Sequence, residues 1–110
     1  MLLFKKKFLP AIRAGEKTQT IRLWPFRRMR TGQRSYIPGA GYIQVTAVEE
    51  IELAGLTDAD ARPDGFETAE QLRAELNRLY PKELAAGYRA YRVVFALDPH
   101  GAKAGKQRHE

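Results

Sequence analysis

Residues 15–22, with the sequence Gly-Glu-Lys-Thr-Gln-Thr-Ile-Arg, hold two cations and two hydroxyls within eight positions. β-Branched residues favour a strand from Thr18, and strand side chains alternate, so Thr18, Thr20 and Arg22 share one face. Lys17 must lie in the preceding turn, from which its flexible stem brings the ammonium over the Thr20 hydroxyl. Such a pair binds a polar ligand. It also activates the hydroxyl as a nucleophile if burial and neighbouring cations, with Arg13 and Arg22 as candidates, lower the pKa of the lysine.

A short helix must precede this segment, because Phe8 and Ile12 stand four positions apart on one helical face. Pro10 is tolerated only in the first helical turn, which starts the helix near Phe8. Gly15 adopts a positive φ without steric cost and so fits the position just past the helix end. The chain is therefore predicted to turn at Gly15, and this turn aims the cluster that follows it.

Residues 23–30, Leu-Trp-Pro-Phe-Arg-Arg-Met-Arg, follow neither the helical nor the strand period and are predicted to form a loop. Aromatic rings alternate with guanidinium groups, a pattern typical of a surface that stacks bases beside phosphate-attracting cations. Trp24, Arg27 and Arg28 are therefore candidate binding residues. The alternative is that Trp24 and Phe26 cap the fold while the arginines are solvated, since large aromatic side chains more often pack than bind.

The net charge of +6 over 110 residues is unevenly distributed. Residues 1–35 carry ten Lys/Arg against one acid, or +9, whereas residues 36–80 carry three against nine, or −6. This asymmetry favours an anionic partner, with nucleic acid first and an acidic membrane surface second. The chain has no cysteine, and its only histidines are His100 and His109. We therefore expect no disulfide, no metal site and no cofactor.

The length fits one domain with a single modest core. The apolar start of the chain precedes Lys5, Lys6 and Lys7, which is the reverse of a secretory signal, and no apolar run reaches membrane-spanning length. We expect a cytoplasmic protein that does not enter a membrane and is a monomer. The domain is predicted to span residues 1–97, followed by a basic, disordered tail at 98–110.

Periodicity and capping residues predict the remaining elements. Alternating apolar residues mark the longest strand, in which Glu49 falls on the apolar phase and requires a bulge or a bend. A capping box at Thr68–Gln71 begins the clearest helix, which ends at Tyr80. The predicted strands cover 2–4, 18–22, 33–37, 43–53 and 91–97, and further helical turns cover 57–61 and 82–88.

The pattern Gly-x-Lys-Thr-x-Thr-Ile-Arg behind a short helix is followed by Asp64-Gly65-Phe66 and by an amphipathic helix that ends in Tyr80-Pro81. In this order the motifs resemble the ASCH domain, a PUA-like small β-barrel, and the resemblance covers residues 1–97. It implies an α+β fold, a barrel of about five to six strands with two to three short helices.

Some ASCH-like proteins are amidohydrolases that remove the acyl group from N4-acetylcytidine with a lysine, a threonine and a glutamate. The resemblance places Lys17, Thr20 and Asp64 at these positions. The acid is one methylene shorter here and reaches about 1.5 Å less far, which counts against carrying the activity over intact. A tight carboxylate contact would also raise the pKa of Lys17, whereas a catalytic base needs that pKa lowered.

The favoured function is a module that binds RNA or a nucleoside, because the +9 segment at residues 1–35 interleaves aromatic rings with arginines. The resemblance adds weight, since PUA-like folds are commonly associated with RNA. Its basic cleft around the motif uses six predicted binding residues: Gly15, Thr18, Arg22, Trp24, Arg27 and Arg28. Lys17 lies at the rim of this cleft and Thr20 at its floor.

Four alternatives remain. The amidohydrolase with Lys17, Thr20 and Asp64 comes first, and a ribonuclease in which Lys17 works with Tyr36 or Tyr42 ranks below it. A protein partner could dock on the acidic stretch at residues 49–75. The plainest interpretation is a surface ion pair between Lys17 and Asp64, worth under about 1 kcal/mol, beside threonines that only favour a strand.

Overall fold

The computed structural model describes residues 1–98. Its centre is one curled antiparallel sheet, a half-barrel with strand order β1-β4-β3-β2. The strands are β1 (Gln19–Trp24), β2 (Arg34–Ile37), β3 (Gly41–Ile51) and β4 (Arg89–Leu97). The α+β class is confirmed, but the described part of the chain has four strands where five to six were expected. The tail predicted at 98–110 lies outside the described residues apart from Asp98.

Residues 1–98 also form four α-helices: α1 (Leu9–Arg13), α2 (Asp58–Ala61), α3 (Ala69–Leu79) and α4 (Pro81–Ala85). Three single 3-10 turns accompany them, at Lys6–Phe8, Leu53–Gly55 and Arg62–Asp64. The Thr68 hydroxyl accepts a hydrogen bond from the Gln71 N–H at 3.1 Å, which caps α3 where the sequence predicted its start. The described chain therefore has more helices than the two to three expected, because α2 and α4 are short but regular.

Residues 2–4 do not form the predicted strand, although they occupy the place of one. The Leu2 N–H donates to the Tyr36 carbonyl of β2 at 2.9 Å. One residue later, the Leu3 carbonyl accepts from Arg22 Nη2 of β1 at 2.6 Å. Because β1 and β2 are the two edges of the sheet, this segment bridges the opening of the half-barrel. Residues 2–4 do not count as a strand because they make one hydrogen bond to β2 and one to β1, and no continuous ladder of backbone hydrogen bonds to either strand.

The bulge in β3 lies earlier than expected. The pairing of β3 with β4 shifts register between Val45 and Ala47, ahead of Glu49. This shift buries Val48 and leaves Glu49 exposed, where its carboxylate meets Arg92 Nη2 at 2.7 Å. The predicted irregularity in this strand, which moves Glu49 away from the buried face, is therefore present. The shift lies between Val45 and Ala47 and not at Glu49, where it was expected.

Both faces of the sheet carry a hydrophobic core. We call the face of Val45 and Val93 the inner face; its core is completed by α1 and the N-terminal segment through Ile12 and Leu2. The opposite, outer face packs against α2 and α3, and its buried residues are Ile21, Leu23, Leu56, Ala61, Ala69, Leu72, Leu76 and Ala90. The candidate pocket opens where β1, the N-terminal segment and α3 meet.

Candidate ligand-binding pocket

A pocket of about 170 Å³ lies beside β1. One wall consists of the α3 side chains Leu72, Leu76 and Leu79. Four aromatic rings also line it, those of Phe4, Phe8, Phe66 and Tyr80. The polar lining comes from Lys5, Lys17, Thr20, Arg22, Asp64 and Glu75. The pocket is therefore an apolar, aromatic cavity with a small group of charged and hydroxyl side chains, as ligand pockets in proteins commonly are.

Lys17 and Asp64 form a buried ion pair in this pocket. The two residues are only 3% and 4% exposed, and Lys17 Nζ lies 2.7 Å from Asp64 Oδ1. The ammonium also donates to the Gln19 carbonyl at 3.0 Å and to the main-chain carbonyl of Asp64. The shorter acid nevertheless reaches Lys17, because the chain brings the Asp64 backbone itself against the ammonium. The pair is also not on the surface.

The turn around Asp64 explains how this short side chain reaches the Lys17 ammonium. Asp64 ends the 3-10 turn Arg62–Asp64, and Gly65 follows with φ of 100°, a conformation that favours glycine. The Thr18 N–H donates to the Pro63 carbonyl at 2.8 Å, which ties this turn to the start of β1. Gln19 Nε2 donates to Asp64 Oδ2 at 3.3 Å. Backbone and side-chain bonds thus hold the carboxylate in place from two directions.

Burial has the largest influence on the pKa of Lys17. Desolvation lowers the pKa of Lys17, and the nearby Arg22 lowers it further, while contact with Asp64 raises it. The first effect is the largest, so the pKa of Lys17 ends below its ordinary value of 10.5. The rings of Phe8 and Phe4 lie 4.9 and 5.7 Å from Nζ and partly replace its lost hydration.

Arg22, not Lys17, contacts the Thr20 hydroxyl. Thr20 and Arg22 share the inner face of β1 as predicted, and Arg22 Nε donates to Thr20 Oγ1 at 3.0 Å. Burial lowers the pKa of the Arg22 guanidinium, which also stacks on the Phe4 ring at 4.8 Å. The Lys17 ammonium, which the sequence predicted over the Thr20 hydroxyl, instead donates its hydrogen bonds to Asp64 and the Gln19 carbonyl.

The other residues predicted to form the cleft lie outside this pocket. Gly15, Thr18, Trp24, Arg27 and Arg28 do not line it. Gly15 and Thr18 act through the backbone, at the turn after α1 and at the junction with Pro63. Arg13, the second cation expected near Lys17, donates instead to the Gly39 carbonyl at 2.9 Å.

The loop at 23–30 is separate from the pocket. Trp24 packs on the inner core with its ring 5.5 Å from that of Tyr91, as the capping alternative expected. Arg27 Nη1 donates to the Val48 carbonyl at 2.9 Å. Phe26 is exposed and carries the Arg28 guanidinium 5.4 Å from its ring, so this part of the loop does not cap the fold.

The sequence alone did not identify several of the residues that line the pocket. Phe4, Phe8 and Tyr80 looked like ordinary core or helix-end residues, and their positions gave no signal of a shared cavity. Glu75 also lines the pocket, and its hydrogen bond to Arg78 at 2.8 Å is the main cause of the lowered pKa of Glu75. Gln19 lies on the opposite face of β1 from Thr20, yet its side-chain amide still reaches Asp64.

Tyr36 and Tyr42 do not line the pocket that holds Lys17, so the structure does not assemble the ribonuclease arrangement.

Within residues 1–98 no group of three or more His, Cys, Asp or Glu is placed to hold a metal ion. In the same range, every helix is too short or too polar to cross a membrane.

No protein-family model matches the sequence, and no curated protein matches it significantly. Solved structures share its fold. The ASCH domain from Lactobacillus crispatus JV V101 has a TM-score of 0.64 and 16% identity, covering 80% of this chain and 68% of that chain. Protein EF3133 from Enterococcus faecalis V583 has a TM-score of 0.72 and 18% identity, covering 93% and 72% of the two chains. The hypothetical protein PH0355 has a TM-score of 0.71 and 16% identity, covering 86% and 94%. At 16–18% identity, the similarity to these structures supports a shared fold and nothing more.

Proposed function

Since the chain has the fold of an ASCH domain, we propose that it binds a nucleobase, carried by a modified nucleoside or by single-stranded RNA. One observation carries this proposal. Four aromatic rings and a buried polar group of Lys17, Thr20 and Asp64 line the same small cavity. A nucleobase combines an apolar, stackable face with a polar edge, and this lining complements both.

The size of the cavity supports a small ligand. About 170 Å³ is below the range of roughly 300–1,000 Å³ that drug-sized molecules occupy. A single base therefore fits better than a stretch of polymer, with the attached ribose toward the opening. Stacking on aromatic side chains stabilises a bound base by about 1–3 kcal/mol.

The hydrogen bonds already present in the pocket leave Thr20 with a particular role. Its oxygen accepts from Arg22 Nε, so its own O–H remains the donor that a ligand acceptor would meet. A ring nitrogen or carbonyl oxygen of a base supplies such an acceptor. The +9 charge of residues 1–35 then adds long-range attraction for a phosphate-bearing ligand.

Calorimetric titration with cytidine, N4-acetylcytidine, uridine and adenosine tests the proposal. We expect at least one nucleoside to bind, and Thr20→Val to weaken that binding about tenfold, because it removes one hydrogen bond without changing the side-chain shape. Thr46→Val is the matched control, since Thr46 is exposed on β3 and does not line the pocket. Absence of binding by all four nucleosides, or equal losses in the two variants, would contradict the proposal.

A second candidate, the amidohydrolase, is favoured by the lowered pKa of a lysine that shares a pocket with Thr20 and Asp64. In this reaction Thr20 Oγ attacks the acyl carbonyl while the neutral Lys17 amine takes the hydroxyl proton and delivers it to the departing N4 amine. Water then hydrolyses the acyl-threonine to the free acid. Asp64 orients Lys17. The reaction requires Lys17 to leave part of its present hydrogen bonding and approach Thr20.

The same N4-acetylcytidine incubations separate the two candidates if release of cytidine is followed by chromatography. Binding without release supports the binding module alone. Release that disappears in Lys17→Ala supports the hydrolase, whereas release that persists in this variant would assign the activity to another group or to a contaminant.

A further inference from the structure

Two exposed tyrosines form a pair on the outer face of the β2–β3 hairpin. Tyr36 and Tyr42 are direct cross-strand partners, and their ring centroids lie 5.0 Å apart at an interplanar angle of 61°. The residues are 39% and 38% exposed, although aromatic side chains of this size are usually buried more deeply. Neither ring lines the pocket beside β1.

Arg34 extends this pair into a row. Its guanidinium carbon lies 4.0 Å from the centroid of the Tyr42 ring, so the cation lies over the aromatic face. The side chain is 52% exposed, and its Nε is 3.6 Å from Asp98 Oδ2. An exposed ion pair at that separation is weak, so a phosphate is able to compete with the carboxylate for Arg34. We call Arg34, Tyr36 and Tyr42 the tyrosine patch.

Among residues 1–98, no helix covers the tyrosine patch. In the described part of the chain, α2 and α3 pack on the outer face over β1 and β4, and the buried core there contains no residue of β2. Arg34, Tyr36 and Tyr42 therefore remain open to solvent while Ile21 and Ala90 on the same face are buried. A ligand can reach the rings without moving any described element.

The chain that leads into the patch is cationic. The segment at residues 25–33, directly before Arg34, carries three arginines at positions 27, 28 and 30 and no aspartate or glutamate. The loop before β2 places Arg28 and Arg30 in exposed positions. Such a surface attracts a polyanion and repels a second copy of itself. Two tyrosines and an arginine are also too few for the roughly 800 Å² per partner of a stable protein dimer.

We propose that the tyrosine patch binds single-stranded RNA, with bases stacking on the tyrosine rings or on the Arg34 guanidinium and phosphates lying along the neighbouring arginines. Unstacked bases have free faces for aromatic and guanidinium groups, whereas bases in a duplex do not. Stacking on any base is sequence-tolerant, so the patch recognises the chemistry of a single strand rather than a sequence. This site is distinct from the nucleobase pocket and does not depend on it.

Fluorescence anisotropy with a short labelled oligouridylate tests the proposal. We expect the double variant Tyr36→Ala, Tyr42→Ala to lose tenfold or more in affinity, because removing each ring removes the stacking of one base. Tyr88→Ala is the matched control, since Tyr88 is 37% exposed and lies outside the patch. Tyr36→Phe with Tyr42→Phe keeps both rings and should retain most of the affinity. A duplex RNA of equal length should bind more weakly than the single strand.

A second variant separates a loss of RNA binding from a defect in folding. Arg34→Gln removes one charge without removing an aromatic ring. It should reduce the magnitude of the slope of log affinity against log salt by about 0.7 for each phosphate that the arginine neutralises in the wild type. Nucleoside binding to the pocket should be unchanged in every patch variant, so failure of the patch and failure of the pocket are told apart. Unchanged RNA affinity in the alanine double variant, an equal loss in Tyr88→Ala, or a loss of self-association alone would overturn the proposal.

Discussion

Lys17 shows how the surroundings of one residue set its chemistry. A lysine amine in water is almost fully protonated at neutral pH, and a carboxylate at 2.7 Å holds the proton still more firmly. Burial acts in the opposite direction and is the larger effect, so the pKa of Lys17 falls. The residue therefore keeps an ion-pair partner while its amine loses its proton more readily than an exposed lysine does.

The lowered pKa of Lys17 predicts a rise of stability with pH. Between the lowered pKa and 10.5, the unfolded chain binds a proton at Lys17 that the folded chain does not. The free energy of unfolding therefore increases through this window, by at most about 1.4 kcal/mol per pH unit, and is constant above it. Urea denaturation of the wild type and of Lys17→Met at a series of pH values measures the difference between the two proteins.

Comparison with Lys17→Met cancels the titration of the other groups to first order. The wild-type protein should gain stability relative to the variant as the pH approaches 10.5. A difference that stays flat, or that shrinks with rising pH, would show that the Asp64 contact outweighs burial.

At the scale of elements, the turn between α1 and β1 determines where Lys17 points. Gly15 has φ of 77°, and the N–H groups of Glu16 and Lys17 both donate to the Ala11 carbonyl, at 2.9 and 3.1 Å. These bonds close the end of α1 and direct the chain from the helix into the pocket wall. A different path here would displace the ammonium from Asp64.

Gly15→Ala should therefore lower the free energy of unfolding by about 1–2 kcal/mol, the cost of placing a Cβ in the left-handed region. No other atom lies within 4 Å of the position that this Cβ would take, so steric contact does not contribute. Gly55→Ala is the matched control because that site is equally open and has no positive φ. Thermal or urea denaturation of both variants measures the effect, and equal losses would contradict this account of the turn.

At the scale of the whole molecule, the N-terminal segment bridges the opening of a four-stranded sheet that has too few strands to close into a barrel by itself. Residues 2–4 connect β2 to β1 through single hydrogen bonds and place Leu2 in the inner core. The same residues bring Phe4 to the pocket, where it contacts Arg22. Closure of the half-barrel and construction of the pocket therefore depend on the same few residues.

Neighbouring leucines test this role. Leu2 is 3% exposed and Leu3 is 63% exposed, so one is buried in the core while the other faces solvent. Leu2→Ala should reduce the free energy of unfolding by about 2–5 kcal/mol because it leaves a cavity. Leu3→Ala should change it by no more than about 0.5 kcal/mol. Similar values in urea denaturation would show that the segment does not close the barrel.

The sequence by itself determined the local features. Capping residues predicted the start of α3 at Thr68, and glycine predicted the turn after α1. Alternation predicted β3 and the shared face of Thr20 and Arg22, and a largely apolar run predicted β4. These features depend on residues a few positions apart, whose conformations local sterics and hydrogen bonds decide. The motif order that resembles the ASCH domain is also read directly from the sequence. The solved structures support an ASCH-like fold, although residues 1–98 form four strands where the resemblance implied five to six.

Only the tertiary structure decided which side chains meet. Asp64 is 47 positions from Lys17, and its reach depends on the backbone path of a turn, which the length of its side chain does not reveal. The exclusion of Trp24 and Arg27 from the pocket, the closing role of Leu2 and the exposure of the tyrosine patch likewise follow from how elements pack. Burial and long-range contact are properties of the folded chain, and they set both the pKa of Lys17 and the shape of the cavity around it.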